Sequence, residues 1–105
     1  MPAPSSLLWS PLFAALIAGT AAAGVDAVRL ESLLRQDCGA CHGGALRGGL
    51  GRPLLPEALA GRDEATLAAI ILDGIPGTPM PPWRPLLSTE EAGWLARRLL
   101  TGTRP

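Results

Sequence analysis

The chain has no lysine and no tyrosine, and its 105 residues include one histidine, one phenylalanine and two cysteines. Each shortage removes a class of protein. With so few cysteines and histidines, a structural zinc site would need a carboxylate such as Asp37 as its fourth ligand, crowded onto the same turn. A disulfide between Cys38 and Cys41 would close too small a loop to stabilise much. Nine arginines balance nine acidic residues, so there is no basic excess to bind nucleic acid. Strands are excluded too, because no stretch alternates with period two and prolines 53, 56, 76, 79, 81, 82 and 85 would interrupt a sheet. The expected fold class is all-α.

Charge is also missing from the first 25 residues. An apolar run from Leu12 to Ala18 is followed by Gly19-Thr20-Ala21-Ala22-Ala23-Gly24, the pattern of a secretory signal with an A-x-A type cleavage site at Ala21 to Ala23. Residues 1–23 would then leave, and residues 24–105 would form one small exported domain, periplasmic by this reading. No Lys or Arg precedes the apolar stretch, so an uncleaved anchor over Leu7 to Val25, and with it a membrane attachment, stays open. Pro11 and the small-residue tail favour cleavage. Cleavage removes Trp9 and Phe13 and leaves Trp83 and Trp94 as the only aromatics. A domain of that length sits close to the size at which a hydrophobic core alone barely suffices. Something has to supplement it.

What the chain does have is Cys38-Gly39-Ala40-Cys41-His42. A C-x-x-C-H pentapeptide attaches haem covalently: two thiols at this spacing can each bond one vinyl group of a porphyrin, and the adjacent imidazole serves as proximal iron ligand. A thioredoxin-like redox pair shares the C-x-x-C spacing but requires a βαβ context, and nothing around Cys38 reads as a parallel strand. A porphyrin would also provide the large flat apolar body that the side chains lack. With no second C-x-x-C-H, the expectation is one haem c per chain.

Helices should surround it. Asp26 is a plausible N-cap for a helix from Ala27 to about Arg35, with Leu30, Leu33 and Leu34 as its apolar stripe. A middle helix from about Glu64 to Leu72 has Asp63 as cap, Leu67, Ile70 and Ile71 as a face that could wall the haem, and Asp73-Gly74 as stop. The last helix opens with a capping box of Ser88 and Glu91 and runs to about Leu100 before Gly102, with Leu95 and Leu99 on one face and Trp94 adjoining. Between them, the Gly43-Gly44, Gly48-Gly49 and Gly51 cluster reads as a tight loop close to the haem, with flexibility as the alternative.

With no second histidine, the candidate distal ligand is Met80 in Gly77-Thr78-Pro79-Met80-Pro81-Pro82-Trp83. A thioether is a soft neutral donor that favours ferrous iron, and the flanking prolines reduce the entropy lost when the loop is pinned. With both axial positions filled, electron transfer is favoured over catalysis and the chain is expected not to be an enzyme.

These residues carry a family resemblance over essentially the whole of residues 24–105. Cys38 to His42 near the end of a first helix, a Gly/Pro loop, a middle helix ending at Gly74, the Met80-Pro81 loop and a C-terminal helix resemble class I cytochromes c. Three segments, Asp37 to Gly43, Leu55 to Gly61 and Gly77 to Pro85, resemble more narrowly the NirC family of small periplasmic monohaem cytochromes associated with haem cd nitrite reductase. The resemblance implies a fold of three to four short helices with the terminal helices packed together. It also implies either electron delivery to that reductase in denitrification or a part in maturing its special haem. Many class I cytochromes carry Gly-Pro-x-Leu after the haem motif, and the Pro carbonyl accepts a hydrogen bond from the proximal imidazole. Here the segment is Gly51-Arg52-Pro53-Leu54, so which carbonyl orients His42 is open.

Partner recognition leaves a fainter trace. Without lysine, no lysine ring can surround the haem edge, and docking to a redox partner is expected to be mainly apolar. Arg47, Arg52 and Arg84 fall in loops expected to border the haem, where they could steer a partner or pair with a propionate. Trp83 could pack on the porphyrin or donate its indole N–H to a propionate, with ordinary loop packing as the alternative.

Overall fold

The computed structural model describes residues 24–105, all helix and loop, and the expected signal or anchor at 1–23 lies outside the described residues. Among the described residues no helix is long and apolar enough to cross a membrane. The first helix, α1, spans Ala27–Leu33, and the Asp26 carboxylate caps it by accepting the Arg29 amide at 3.1 Å. Leu30 and Leu34 are fully buried, while Leu33 is only half-buried.

The helical path does not end at Arg35 as the periodicity predicts. It widens into a π-turn over Leu34–Cys38, where the Gly39 amide reaches the Leu34 carbonyl, and then resumes as α2 over Gly39–His42. An extra residue in a turn rotates everything after it relative to α1, and such bulges recur at functional sites. Gly39 is buried, and a Cβ there would stand 3.4 Å from Gly44 Cα, so a small residue lets the next loop fold back on the turn.

A 3₁₀ turn at Pro56–Ala58 brings Leu59 into the core. The middle helix, α3, spans Glu64–Asp73, and Asp63 caps it by accepting the Thr66 amide at 3.1 Å and the Thr66 hydroxyl at 2.6 Å. The last helix, α4, spans Thr89–Thr101 with the expected capping box: the Glu91 amide donates to Ser88 Oγ at 3.0 Å and the Ser88 amide to Glu91 Oε1 at 2.9 Å.

The core gathers Leu30 and Leu34 from the first helical path, Leu67 and Leu72 from α3, Leu59 and Leu87 from loops, and Ala92, Trp94, Leu95, Ala96 and Leu99 from α4. Burying each leucine is worth roughly 1.5–3 kcal/mol. The α3 helix packs along α4. The terminal helices are joined by two ion pairs, Arg29 with Glu91 and Arg98 Nε with Glu31 Oε1 at 2.5 Å. Glu31 is the buried polar residue of this core, and Arg35 and Arg104 stand 3.9 Å from its carboxylate. Removing one partner of such a pair costs more than the pair itself contributes, because the other charge stays buried.

Candidate functional site

The helices leave an apolar cavity of about 580 Å³ between them. Its walls are Leu34, Cys38, Cys41 and His42 from the first helical path, Leu67, Ile70 and Ile71 from α3, Leu95 and Leu99 from α4, and Pro79, Met80, Pro81 and Trp83 from the loop after α3. Both cysteines, the histidine and the methionine singled out in the sequence therefore border one space, although His42 and Met80 are 38 positions apart. Polar groups at the wall are few: Asp37, Arg52, Arg62 and Thr78 accompany them.

His42 is held by the glycine-rich loop. Its Nδ1 lies 2.7 Å from the Arg52 carbonyl oxygen, which can only accept, so Nδ1 carries a proton and, in the neutral ring, Nε2 keeps the free lone pair. That settles which carbonyl orients the ring. Gly51 makes the approach possible: a Cβ there would stand 2.7 Å from both Cε1 and Nδ1 of the imidazole. The loop is also stitched to the helix end, with the Gly51 amide donating to the Cys41 carbonyl at 2.7 Å and the Gly48 amide to the His42 carbonyl at 2.8 Å. The cluster is a fitted cradle and not slack chain.

The Cys38 thiol is pushed up to about 11 by burial, with the Asp37 and Cys41 charges adding to the effect. A redox-active cysteine needs the opposite shift, toward the thiolate. The environment of Cys38 thus argues against a thiol oxidoreductase.

Met80 sits in a loop closed on the end of α3. The Ile75 amide donates to the Met80 carbonyl at 3.2 Å, the Met80 amide to Thr78 Oγ1 at 3.3 Å, and Thr78 Oγ1 to the Ile75 carbonyl at 2.7 Å. Gly74, at φ +69°, stops α3 and lets the loop return across it, since a Cβ there would stand 2.7 Å from the Met80 carbonyl oxygen. The stem is closed by the Trp83 amide on the Ile71 carbonyl at 3.1 Å and the Arg84 amide on the Leu72 carbonyl at 2.9 Å.

Three loop residues do not stand where the sequence suggests. Pro53 is exposed and is not part of the cavity wall; it lies instead against the Gly48 position, because the chain spends Arg52, not Pro53, on the imidazole. Arg84 forms a bidentate pair with Asp73 at 2.8 and 3.0 Å and does not face the cavity. Arg47 does not border it either, which leaves Arg52 of the three arginines. Arg62, which sequence reasoning missed, does border it. The signal was available, since Arg62 directly precedes the Asp63 cap and so must lie at the mouth of α3.

Two thiols, an imidazole with a free Nε2 and a thioether around one large apolar cavity form a donor set that fits a covalently attached haem. An apolar space of this size without an occupant would forfeit the contacts of every side chain lining it. Comparison with known proteins points the same way. Residues 25–97 match the protein family described as cytochrome C oxidase, cbb3-type, subunit III. Cytochrome c55X from Paracoccus denitrificans is 57% identical over 93 residues, covering 85% of this chain and 90% of that protein. The solved structure of the c-type cytochrome NirC superposes with a TM-score of 0.72 at 54% identity, covering 75% of this chain and 94% of that one. A structure of the dihydro-heme d1 dehydrogenase NirN in complex with DHE superposes with a TM-score of 0.63 at 39% identity, but the match takes in only 16% of that longer chain against 71% of this one.

Proposed function

This chain belongs to the class I cytochrome c family that includes cytochrome c55X and NirC, and on that premise we propose that it is a periplasmic carrier of single electrons with no substrate of its own. Its cofactor is one covalently bound haem c. In the proposed assignment Cys38 and Cys41 form the two thioethers, His42 is the proximal ligand through Nε2, and Met80 is the distal ligand. The haem supplies a reversible one-electron couple at its iron.

The protein's own part is to hold and tune that couple. The Arg52 carbonyl, by accepting the Nδ1 proton, fixes the ring and raises the basicity of Nε2. The Met80 thioether favours the ferrous state, and the apolar walls from α3 and α4 exclude water from the charge-bearing centre. With His42 and Met80 both holding the iron, no place would be left for a substrate, which supports a carrier over an enzyme. The observation that carries the reading is the convergence of Cys38, Cys41, His42 and Met80 on one apolar cavity. We assign the electron acceptor as haem cd nitrite reductase, on the resemblance to the NirC family. If so, the reduced protein is reoxidised when mixed with that reductase and nitrite, and no reaction with active enzyme would contradict the assignment.

A second reading is favoured by the likeness to NirN, a dihydro-heme d1 dehydrogenase by name. In that reading the chain serves maturation of the reductase's special haem. Deleting the gene separates the two: reductase purified without its special haem supports maturation, and fully loaded reductase with slow nitrite turnover in cells supports electron delivery.

A further inference from the structure

The loop that presents Met80 is held shut at its stem by an ion pair that the site does not otherwise use. Asp73 is the last residue of α3 and Arg84 comes directly after Trp83, so the two ends of the ten residues 74–83 meet where Arg84 Nε and Nη2 donate to the two oxygens of Asp73. The stem is also held by two backbone hydrogen bonds, from Trp83 to Ile71 and from Arg84 to Leu72, by the Trp83 side chain against the core and by the close approach of Gly74 to the Met80 carbonyl. Apart from Trp83 at the stem itself, no residue of the loop packs into the described core, and Thr78, Pro79 and Pro81 are exposed. Opening the stem would therefore let Met80 withdraw without unfolding α3 or α4, the low-stability kind of segment from which gating elements are drawn.

Composition decides the consequence of such an opening. The chain has no lysine, no histidine but His42, and no methionine but Met80 and Met1. No second imidazole, amine or thioether side chain of residues 24–105 stands ready to take the place of Met80. We propose that the Arg84–Asp73 pair is the latch of the Met80 loop and sets how often the loop opens far enough for an added ligand such as imidazole to reach the iron. The iron–sulfur bond of Met80 breaks and a bond from the ligand's lone pair replaces it, with no change in electron count on the protein. This rests on Met80 being the distal ligand.

Both side chains of the pair are more than half exposed, 55% for Arg84 and 57% for Asp73. An exposed pair is weak, though bidentate geometry places it at the upper end of the surface range, so its loss should speed opening about threefold and no more. The test is imidazole binding to the ferric holoprotein, monitored by loss of the weak near-infrared sulfur-to-iron band at saturating imidazole, where the rate reports loop opening. D73N and R84Q should each raise the limiting rate about threefold at low salt, and the charge-swapped double variant D73R/R84D should return toward the native value. Salt at about 1 M should accelerate the native protein and leave the single variants unchanged. Absence of the band from the native ferric protein would defeat the ligand assignment itself. A band that is present, with equal rates in native protein, D73N and R84Q, would defeat the latch alone.

Discussion

At the scale of single residues, the site depends as much on what two positions lack as on what the ligands carry. Gly51 faces the imidazole so closely that a methyl group would overlap it at 2.7 Å, and Gly74 meets the Met80 carbonyl at the same distance. G51A should push the ring away from the Arg52 carbonyl, cost roughly 1–3 kcal/mol in stability, and alter the haem absorption spectrum. A folded G51A with native spectrum and native melting temperature would show that the loop can step back. That Cys38, Cys41, His42 and Met80 belong to one site was legible at once, because C-x-x-C-H and a lone Met between prolines are local patterns, and all four border the cavity. The Arg52 carbonyl was not, since a backbone acceptor has no residue signature, and neither was the exclusion of Pro53 and Arg84 from the cavity. Where a loop residue points depends on partners such as Gly48 and Asp73 that lie several residues away in the chain.

At the scale of elements, helix starts were readable to the residue and one helix end was not. Asp26, Asp63 and Ser88 all cap as their types predict, because capping is a bond between near neighbours. The run from α1 through the π-turn into α2 was hidden, because one extra residue in a turn leaves no mark on the apolar periodicity. The α4 capping box gives a direct test: S88A should cost about 1 kcal/mol and lower the melting temperature by several degrees, with the redox spectrum unchanged.

Carboxylates that cap helices or join them set the acid limit. Glu91 is held below its ordinary value of 4.5 chiefly by the Ser88 amide, Glu31 by its bond to Arg98, and Asp63 below 3.8 by the Thr66 hydroxyl and amide. Groups whose folded pKa is depressed stabilise the fold fully above the unfolded value and lose that contribution as pH falls through the folded one. The melting temperature should therefore be level from about pH 7 down to about pH 5 and decline below about pH 4.5. In E91Q the decline should be shallower, and an unchanged slope would show that Glu91 plays no part in it.

At the scale of the whole molecule, the fold is a shell for its cofactor. Among the described residues eleven buried apolar side chains form the core, yet Leu34, Leu59, Leu67, Leu95 and Leu99 among them also line the cavity, so the core and the haem site share one wall. The chain's shortage of aromatic residues made this foreseeable, because a domain with so few large side chains needs a large apolar body from elsewhere. The C38A/C41A variant, unable to attach haem, should consequently lose most of its cooperative melting and helical circular dichroism. A native-like melt without haem would show that the side chains suffice alone.

The central proposal is that His42 and Met80 would both hold the haem iron, which would make the chain an electron carrier. Its most direct test is the near-infrared absorbance of the ferric holoprotein beside that of M80A. The sulfur-to-iron band should be present in the native protein and lost in the variant, and a band that persists in M80A would contradict the claim.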